Sequence, residues 1–129
     1  MGMPAAKQGD QVIAVDTHIV VVPGASPVPL PHVFTGQLDG GLSADVKIMG
    51  KPAATVGSTA TNTPAHIPTP PGTAFQKPPS NLATVQLGSQ TVLINGKPAA
   101  RAGDKAATCN DPADAPIGDV IATGSVMVG

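Results

Sequence analysis

Hydrophobic and polar residues alternate along this 129-residue chain in short runs that end at Gly or Pro. In residues 85–94 the apolar side chains stand two positions apart on either side of the turn sequence 88–90, GSQ. A period of two is typical of half-buried strands, so this pattern predicts a hairpin that turns at 88–90. The following pair Asn95-Gly96 predicts a second tight turn, because both residue types tolerate a positive φ.

One hairpin sequence is repeated along the chain. Residues 46–54, VKIMGKPAA, align without a gap on residues 92–100, VLINGKPAA, and Pro-Ala-Ala occurs a third time at 4–6. A Gly follows each copy at the same distance, at positions 9, 57 and 103. No strand precedes the copy at 4–6, but the final residues 124–129, GSVMVG, resemble the approach to one. We therefore predict three hairpin units with pseudo-threefold symmetry, the third split across the termini, closed into a ring without free sheet edges.

Composition favours a folded, all-β chain. Pro and Gly, 15 of each, interrupt every window of the length that a typical helix needs. With 41% hydrophobic and 12% charged residues the chain has apolar surface to bury, and its length suits a single domain over 1–129. The chain lacks Trp and Tyr and has two Phe, so the core must be built from Val, Ile, Leu and Ala. We expect such a thin core to need a further source of stability.

The charge and the first residues exclude several functional classes. The net charge is −1 and the seven Lys and Arg do not cluster, so no nucleic-acid partner is expected. The first residues do not form a signal peptide, and no apolar run is long enough to span a bilayer. We therefore expect no stable membrane insertion and synthesis in the cytoplasm, where a single Cys without a disulfide partner is ordinary.

The sequence Pro98-Ala99-Ala100-Arg101 resembles the motif of the PAAR-repeat family, the spike-tip proteins of type VI secretion systems and related contractile injection machines. Lys7 and Thr55 stand in place of the Arg in the other two copies, while the spacing is kept. The resemblance implies a small cone of β-hairpins whose broad end sits on a trimeric spike protein of the VgrG type, with a metal ion near its point. It also implies a protein that is a monomer on its own and caps one spike trimer. Such a protein would stay in the cytoplasm until assembly and then be ejected with the spike into the target cell or the exterior.

Four residues are candidates for the metal ligands: His18, His32, His66 and Cys109. They are all the His and Cys residues of the chain, and three imidazoles with one thiolate suit a closed tetrahedral zinc site. Each lies in a sequence context typical of a loop, and no C-x-x-C or H-x-x-x-H pair marks a metal site. By themselves they are more typical of exposed or capping histidines and a small buried thiol than of a metal site. With the resemblance they are predicted to hold one structural zinc per chain, which would supply the stability that the core lacks.

The predicted function is structural. A protein resembling this family would cap and sharpen the spike, and it would carry any effector or adaptor protein by non-covalent docking. An enzyme is not expected, because four protein ligands close the metal and the acidic residues are scattered singly. The alternatives are a small zinc-dependent hydrolase and an effector-docking adaptor. The Pro-rich segment 69–81 is not explained by the repeats and is predicted to wrap the side of the cone, with Phe75 as its anchor.

Overall fold

The computed structural model describes residues 2–129, and within them it contains thirteen strands and no helix. The strands are β1 Met3–Pro4, β2 Gln11–Val21, β3 Val28–Gly40, β4 Lys47–Ile48, β5 Lys51–Pro52, β6 Thr59–Asn62, β7 Ala74–Phe75, β8 Leu82–Val85, β9 Leu93–Ile94, β10 Lys97–Pro98, β11 Lys105–Thr108, β12 Ala115–Ile121 and β13 Met127–Val128. The prediction of an all-β fold is confirmed. Over residues 2–129 there is accordingly no apolar helix of membrane-spanning length.

Six strands form a closed antiparallel barrel. The order around it is β2, β3, β6, β8, β11 and β12, and β12 pairs with β2 to complete the ring. The longest pairing joins β2 to β3, from Gln11 opposite Gln37 to Val20 opposite Val28. Closure matters for so small a chain, because it leaves none of these six strands with an unpaired edge.

Three two-residue hairpins lie together at one end of the barrel. They pair β4 with β5, β9 with β10, and β1 with β13, so the two ends of the chain form the third hairpin. Their registers are equivalent, since the Pro of each Pro-Ala-Ala lies opposite the first residue of its partner strand, namely Lys47, Leu93 or Met127. The prediction of three units, one of them split across the termini, is confirmed.

The three Pro-Ala-Ala segments meet on the pseudo-threefold axis. The backbone nitrogen of Ala6 donates to Ala100 O at 2.9 Å, Ala54 N to Ala6 O at 3.0 Å, and Ala100 N to Ala54 O at 3.0 Å. Each of these residues is fully buried. Because three backbones converge at this point, a larger side chain would have to displace one of them. This ring explains why the chain repeats Pro-Ala-Ala.

The Gly that follows each Pro-Ala-Ala turns the chain from this ring into the barrel. Gly9, Gly57 and Gly103 have φ values of 89°, 95° and 86°, a region that favours glycine. Their backbone nitrogens donate to the carbonyls of Leu38, Val85 and Val120. These are equivalent positions near the ends of β3, β8 and β12. The regular spacing of the three Gly is therefore a requirement of the backbone.

The departures from Pro-Ala-Ala-Arg occur in matched pairs. In every unit, the backbone nitrogen after Pro-Ala-Ala donates to a side chain three residues later, and the pairs are Lys7–Asp10, Thr55–Ser58 and Arg101–Asp104. The two cationic residues also form side-chain ion pairs with their Asp. A hydrogen bond to Asp104 raises the pKa of Arg101 above its usual value. Where Thr replaces the cation, Ser replaces the carboxylate, so no buried charge is left unpaired.

The predicted hairpin with its turn at 88–90 is wrong. Strand β8 pairs with β6 and β11, whereas β9 pairs with β10, and the connection 86–92 is a loop. Ser89 holds this loop, because its hydroxyl accepts hydrogen bonds from the backbone nitrogens of Thr91 and Val92. Ser43 accepts from the backbone of Val46 in the equivalent loop of the preceding unit. The alternation of apolar residues was real, but each strand has a partner that is distant in the sequence.

Two clusters of buried residues make up the core. The smaller lies among the three hairpins and combines three Ala with three aliphatic residues: Ala5, Ala53, Ala99, Ile48, Ile94 and Val128. The larger fills the barrel and is mostly Val, Leu and Ala, as the composition predicted, with Phe34 as its largest side chain.

Candidate metal centre

The polar residues gather at the end of the barrel opposite the hairpins. Strands β2, β6 and β11 each begin just after a Pro-Ala-Ala unit and run away from it, so their far ends converge. The loops after β6 and β11 carry His66 and Cys109. The loop contexts predicted for His18 and His32 are wrong, since both residues lie within strands, β2 and β3. These two strands are long enough to extend past the shorter ones.

Four ligand-type side chains converge here. One ligand atom from each of Asp16, His18, His66 and Cys109 lies within 4.8 Å of the others. Asp16, His18 and Cys109 are buried, and the His66 side chain is 3% exposed. Imidazole nitrogen, thiolate sulfur and carboxylate oxygen are the ligand types that zinc takes in proteins. The group can therefore hold a metal ion.

His32 lies beside this group without belonging to it. Its ring centroid is 5.6 Å from that of His18 and 5.5 Å from that of His66, and those two rings are 5.0 Å apart. The His32 Nδ1 atom contacts Leu30 O at 3.0 Å, and Nε2 contacts Thr69 Oγ1 at 3.3 Å. The structure thus brings His18, His66 and Cys109 together and places His32, hydrogen-bonded elsewhere, directly beside them.

Asp16 is the residue that the sequence analysis missed. It is fully buried, and its Oδ2 atom lies 2.9 Å from His66 Nε2 and 3.5 Å from Cys109 Sγ. Its Oδ1 atom accepts hydrogen bonds from Thr108 and Asn110. One signal could have found it: Asp16 and His18 stand two apart in a strand, so both side chains point to the same face.

The burial of these polar groups fits a bound cation. Within residues 2–129, neither ring nitrogen of His18 has a hydrogen-bond partner, although both are buried. The nearest carboxylate oxygen, Asp111 Oδ2, is 3.7 Å from Nδ1 and already accepts from Ile19 N. Among the described residues, the hydrogen-bond donors to the buried Asp16 include no Lys or Arg. Unpartnered buried nitrogens are costly, as is a buried carboxylate without a fixed positive charge beside it, and a divalent cation would relieve both costs.

Burial shifts the pKa of two of these groups. It lowers the pKa of His18, and the neighbouring His66 adds to this effect, so His18 is neutral at neutral pH, the form that binds metal. Burial raises the pKa of the Cys109 thiol, so without a metal the thiol keeps its proton. A metal ion bound through Cys109 would therefore have to displace this proton.

A model of a protein family described as PAAR motif matches residues 31–107 and again residues 75–128. The first match alone spans more than half of the chain. This protein belongs to the PAAR-motif family. Comparisons with curated proteins and with solved structures gave no match.

The family assignment and the structure complement each other. The PAAR-motif matches include the second and third Pro-Ala-Ala units but not the first, at 4–6. The structure adds that first unit, because Ala6 forms hydrogen bonds with both Ala54 and Ala100. The PAAR-motif family is one of structural spike-tip proteins, so membership supports a spike-tip-like protein of type VI secretion.

Proposed function

We propose that this PAAR-motif protein caps the trimeric spike of a contractile injection machine, one chain per trimer. It would sit on the spike by its hairpin end, assemble in the cytoplasm and leave the cell with the spike. The pseudo-threefold ring of Ala6, Ala54 and Ala100 supports this assignment. A single chain that presents three equivalent surfaces can match three identical subunits, which an asymmetric protein cannot.

The observation that carries the proposal is an apolar rim at the hairpin end. Three equivalent residues, Val46, Val92 and Val126, are 36%, 37% and 40% exposed, and their carbonyls accept hydrogen bonds from the first Ala of each Pro-Ala-Ala. Four further exposed apolar residues lie on the same three hairpins: Met3, Met49, Leu93 and Met127. An exposed apolar surface with threefold repetition is suited to a threefold partner.

This proposal predicts the stoichiometry of the complex. Native mass spectrometry of the protein mixed with a trimeric spike protein should show one chain per trimer. Replacing Val46, Val92 and Val126 together by Asp should abolish the complex, because three charges would be buried without partners. Val33→Asp on the outside of the barrel is the matched control, since Val33 is 67% exposed and lies away from the hairpins. Binding by the triple variant at wild-type affinity would contradict the proposal.

We further propose that the cluster opposite the hairpins holds one structural zinc. His18, His66 and Cys109 would be three of its ligands, and either His32 or Asp16 the fourth. The unpartnered ring nitrogens of His18 and the chemistry of the group support this proposal. A zinc here would supply a cross-link between strand β2 and the loops after β6 and β11. Because four protein ligands leave no position for water, its role would be to stabilise the tip.

The fourth ligand can be identified by X-ray absorption on the zinc-loaded protein. Ligation by His32 predicts three imidazoles and one sulfur, and ligation by Asp16 predicts two imidazoles, one sulfur and one oxygen. The variants Asp16→Asn and His32→Ala should then differ. The variant that keeps all four ligands and loses only a neighbour of a ligand should lose about 10- to 100-fold in zinc affinity, and the variant that lacks the true ligand should lose more. A spectrum without sulfur would reject Cys109 as a ligand and with it the proposed site.

A further inference from the structure

The Pro-rich segment 69–81, called here the strap, lies directly over the candidate metal centre. Its strand β7 pairs with Val20 and Val21 of β2, which follow His18 by two and three residues. Backbone hydrogen bonds flank this pairing, from Thr73 N to Val21 O and from Gln76 N to Ile19 O. The strap therefore has a defined seat on the strand that carries Asp16 and His18.

Phe75 forms the centre of this cover. Its ring centroid is 5.5 Å from that of His18 and 5.2 Å from that of His32, and both contacts are edge-to-face. This geometry is a favourable one for aromatic rings. Phe75 is itself partly exposed, whereas His18 is 1% and His32 8% exposed. The phenyl ring thus stands between solvent and two imidazoles.

The two ends of the strap contact the remaining parts of the cluster. At its start, Thr69 Oγ1 lies 3.3 Å from His32 Nε2. At its end, Asn81 Oδ1 accepts hydrogen bonds from the backbone nitrogen of His66 and from Asn62. A cavity of about 180 Å³ opens beside the strap and is lined by Ser80, His18 and Cys109 among others. The strap therefore borders this opening and covers the imidazoles beside it.

We propose that the strap is a closure that sets the rate at which metal leaves this site, with Phe75 as the side chain that seals it. The inference rests on the proposed zinc. Release of a buried metal requires a competing ligand or proton to approach the coordinated atoms. With the strap seated, approach to His18 and His32 from the side that Phe75 covers requires the β7 pairing to open, a local event distinct from unfolding. The strap would thereby lower the dissociation rate of the metal without determining its equilibrium affinity.

The test is the rate of zinc release from the zinc-loaded full chain into an excess of a chromophoric chelator at neutral pH. Phe75→Ala should release zinc about tenfold faster or more than the wild type, because the opening step is removed. It should still bind one zinc per chain. Phe75→Leu keeps an apolar cover and should lie within a few-fold of the wild type. Gln76→Ala changes an exposed neighbouring side chain and should leave the rate unchanged.

A second variant keeps the test decisive if Phe75→Ala does not fold. Thr69→Val removes the hydroxyl contact with His32 while leaving a side chain of similar shape, so it should also accelerate release. If Phe75→Ala, or Thr69→Val in its place, releases zinc at the wild-type rate, the strap is not the closure. Absence of zinc from the wild-type protein is a different result, because it would overturn the proposed metal site itself.

Discussion

Cys109→Ser is expected to abolish zinc retention and to lower the free energy of unfolding by about 5 kcal/mol or more. The substitution removes the sulfur ligand of the proposed site. The serine hydroxyl cannot replace it as an anionic ligand, because it does not ionise at neutral pH. Structural zinc contributes about 10 to 16 kcal/mol of apparent binding free energy in small domains, which compares with a whole-domain stability of about 5 to 15 kcal/mol. The core here is mostly Val, Leu and Ala. We therefore expect core packing not to compensate for the free energy of unfolding that is lost with the metal.

The measurement is urea unfolding followed by circular dichroism, with and without a chelator. The chelated wild type should unfold at nearly the same urea concentration as zinc-free Cys109→Ser, since the serine hydroxyl can donate to Asp16 Oδ2 in place of the thiol. The difference between the two chains should therefore appear only when zinc is present. Equal stability of the zinc-loaded wild type and the variant would show that no metal stabilises this fold.

Ala54→Leu is expected to destabilise the protein by about 3 kcal/mol or more, because it overpacks the point where three backbones meet. Ala54 is fully buried, and its backbone hydrogen bonds link Ala6 and Ala100. The pseudo-threefold symmetry adds a sharper expectation. Ala6→Leu and Ala100→Leu should each cost a similar amount, although these positions are far apart in the sequence.

Thermal and urea unfolding of the three variants would check this prediction. Ala113→Leu is the matched control, since Ala113 is exposed and the same side-chain change there should shift stability by about 0.5 kcal/mol or less. A large loss at one position with little effect at the other two would mean that the ring is not an equivalent threefold contact. Small effects at all three would mean that the axis has room for a larger side chain.

The sequence was sufficient to predict the repeating part of the fold. The paired copies at 46–54 and 92–100, the regular Gly and the Asn95-Gly96 turn are local signals. In the structure Asn95 and Gly96 have positive φ values of 53° and 78°, as a two-residue hairpin turn requires. The resemblance of the last residues to the start of a unit was also sufficient to predict the pairing of β1 with β13.

The candidate site was predictable only in part. His18, His32, His66 and Cys109 were found because the chain has so few residues of these types. Asp16 was missed because a carboxylate on a strand is common. Only the structure shows that it contacts Thr108, His66 and Cys109, which lie on another strand and on loops. Phe75 was predicted as an anchor of the segment 69–81, but its contact with two of the imidazoles depends on the pairing of β7 with β2.

By itself, then, the sequence determined the units: their number, their turns, the small residues at their junction and the split of the third across the termini. Only the tertiary structure decided which strands pair, as the failed hairpin at 88–90 shows, and which polar side chains meet. The physical reason is the range of the interactions. Turns and alternation depend on neighbouring residues, whereas barrel closure and the convergence of Asp16 with Cys109 are settled by contacts between strands and loops far apart in the chain.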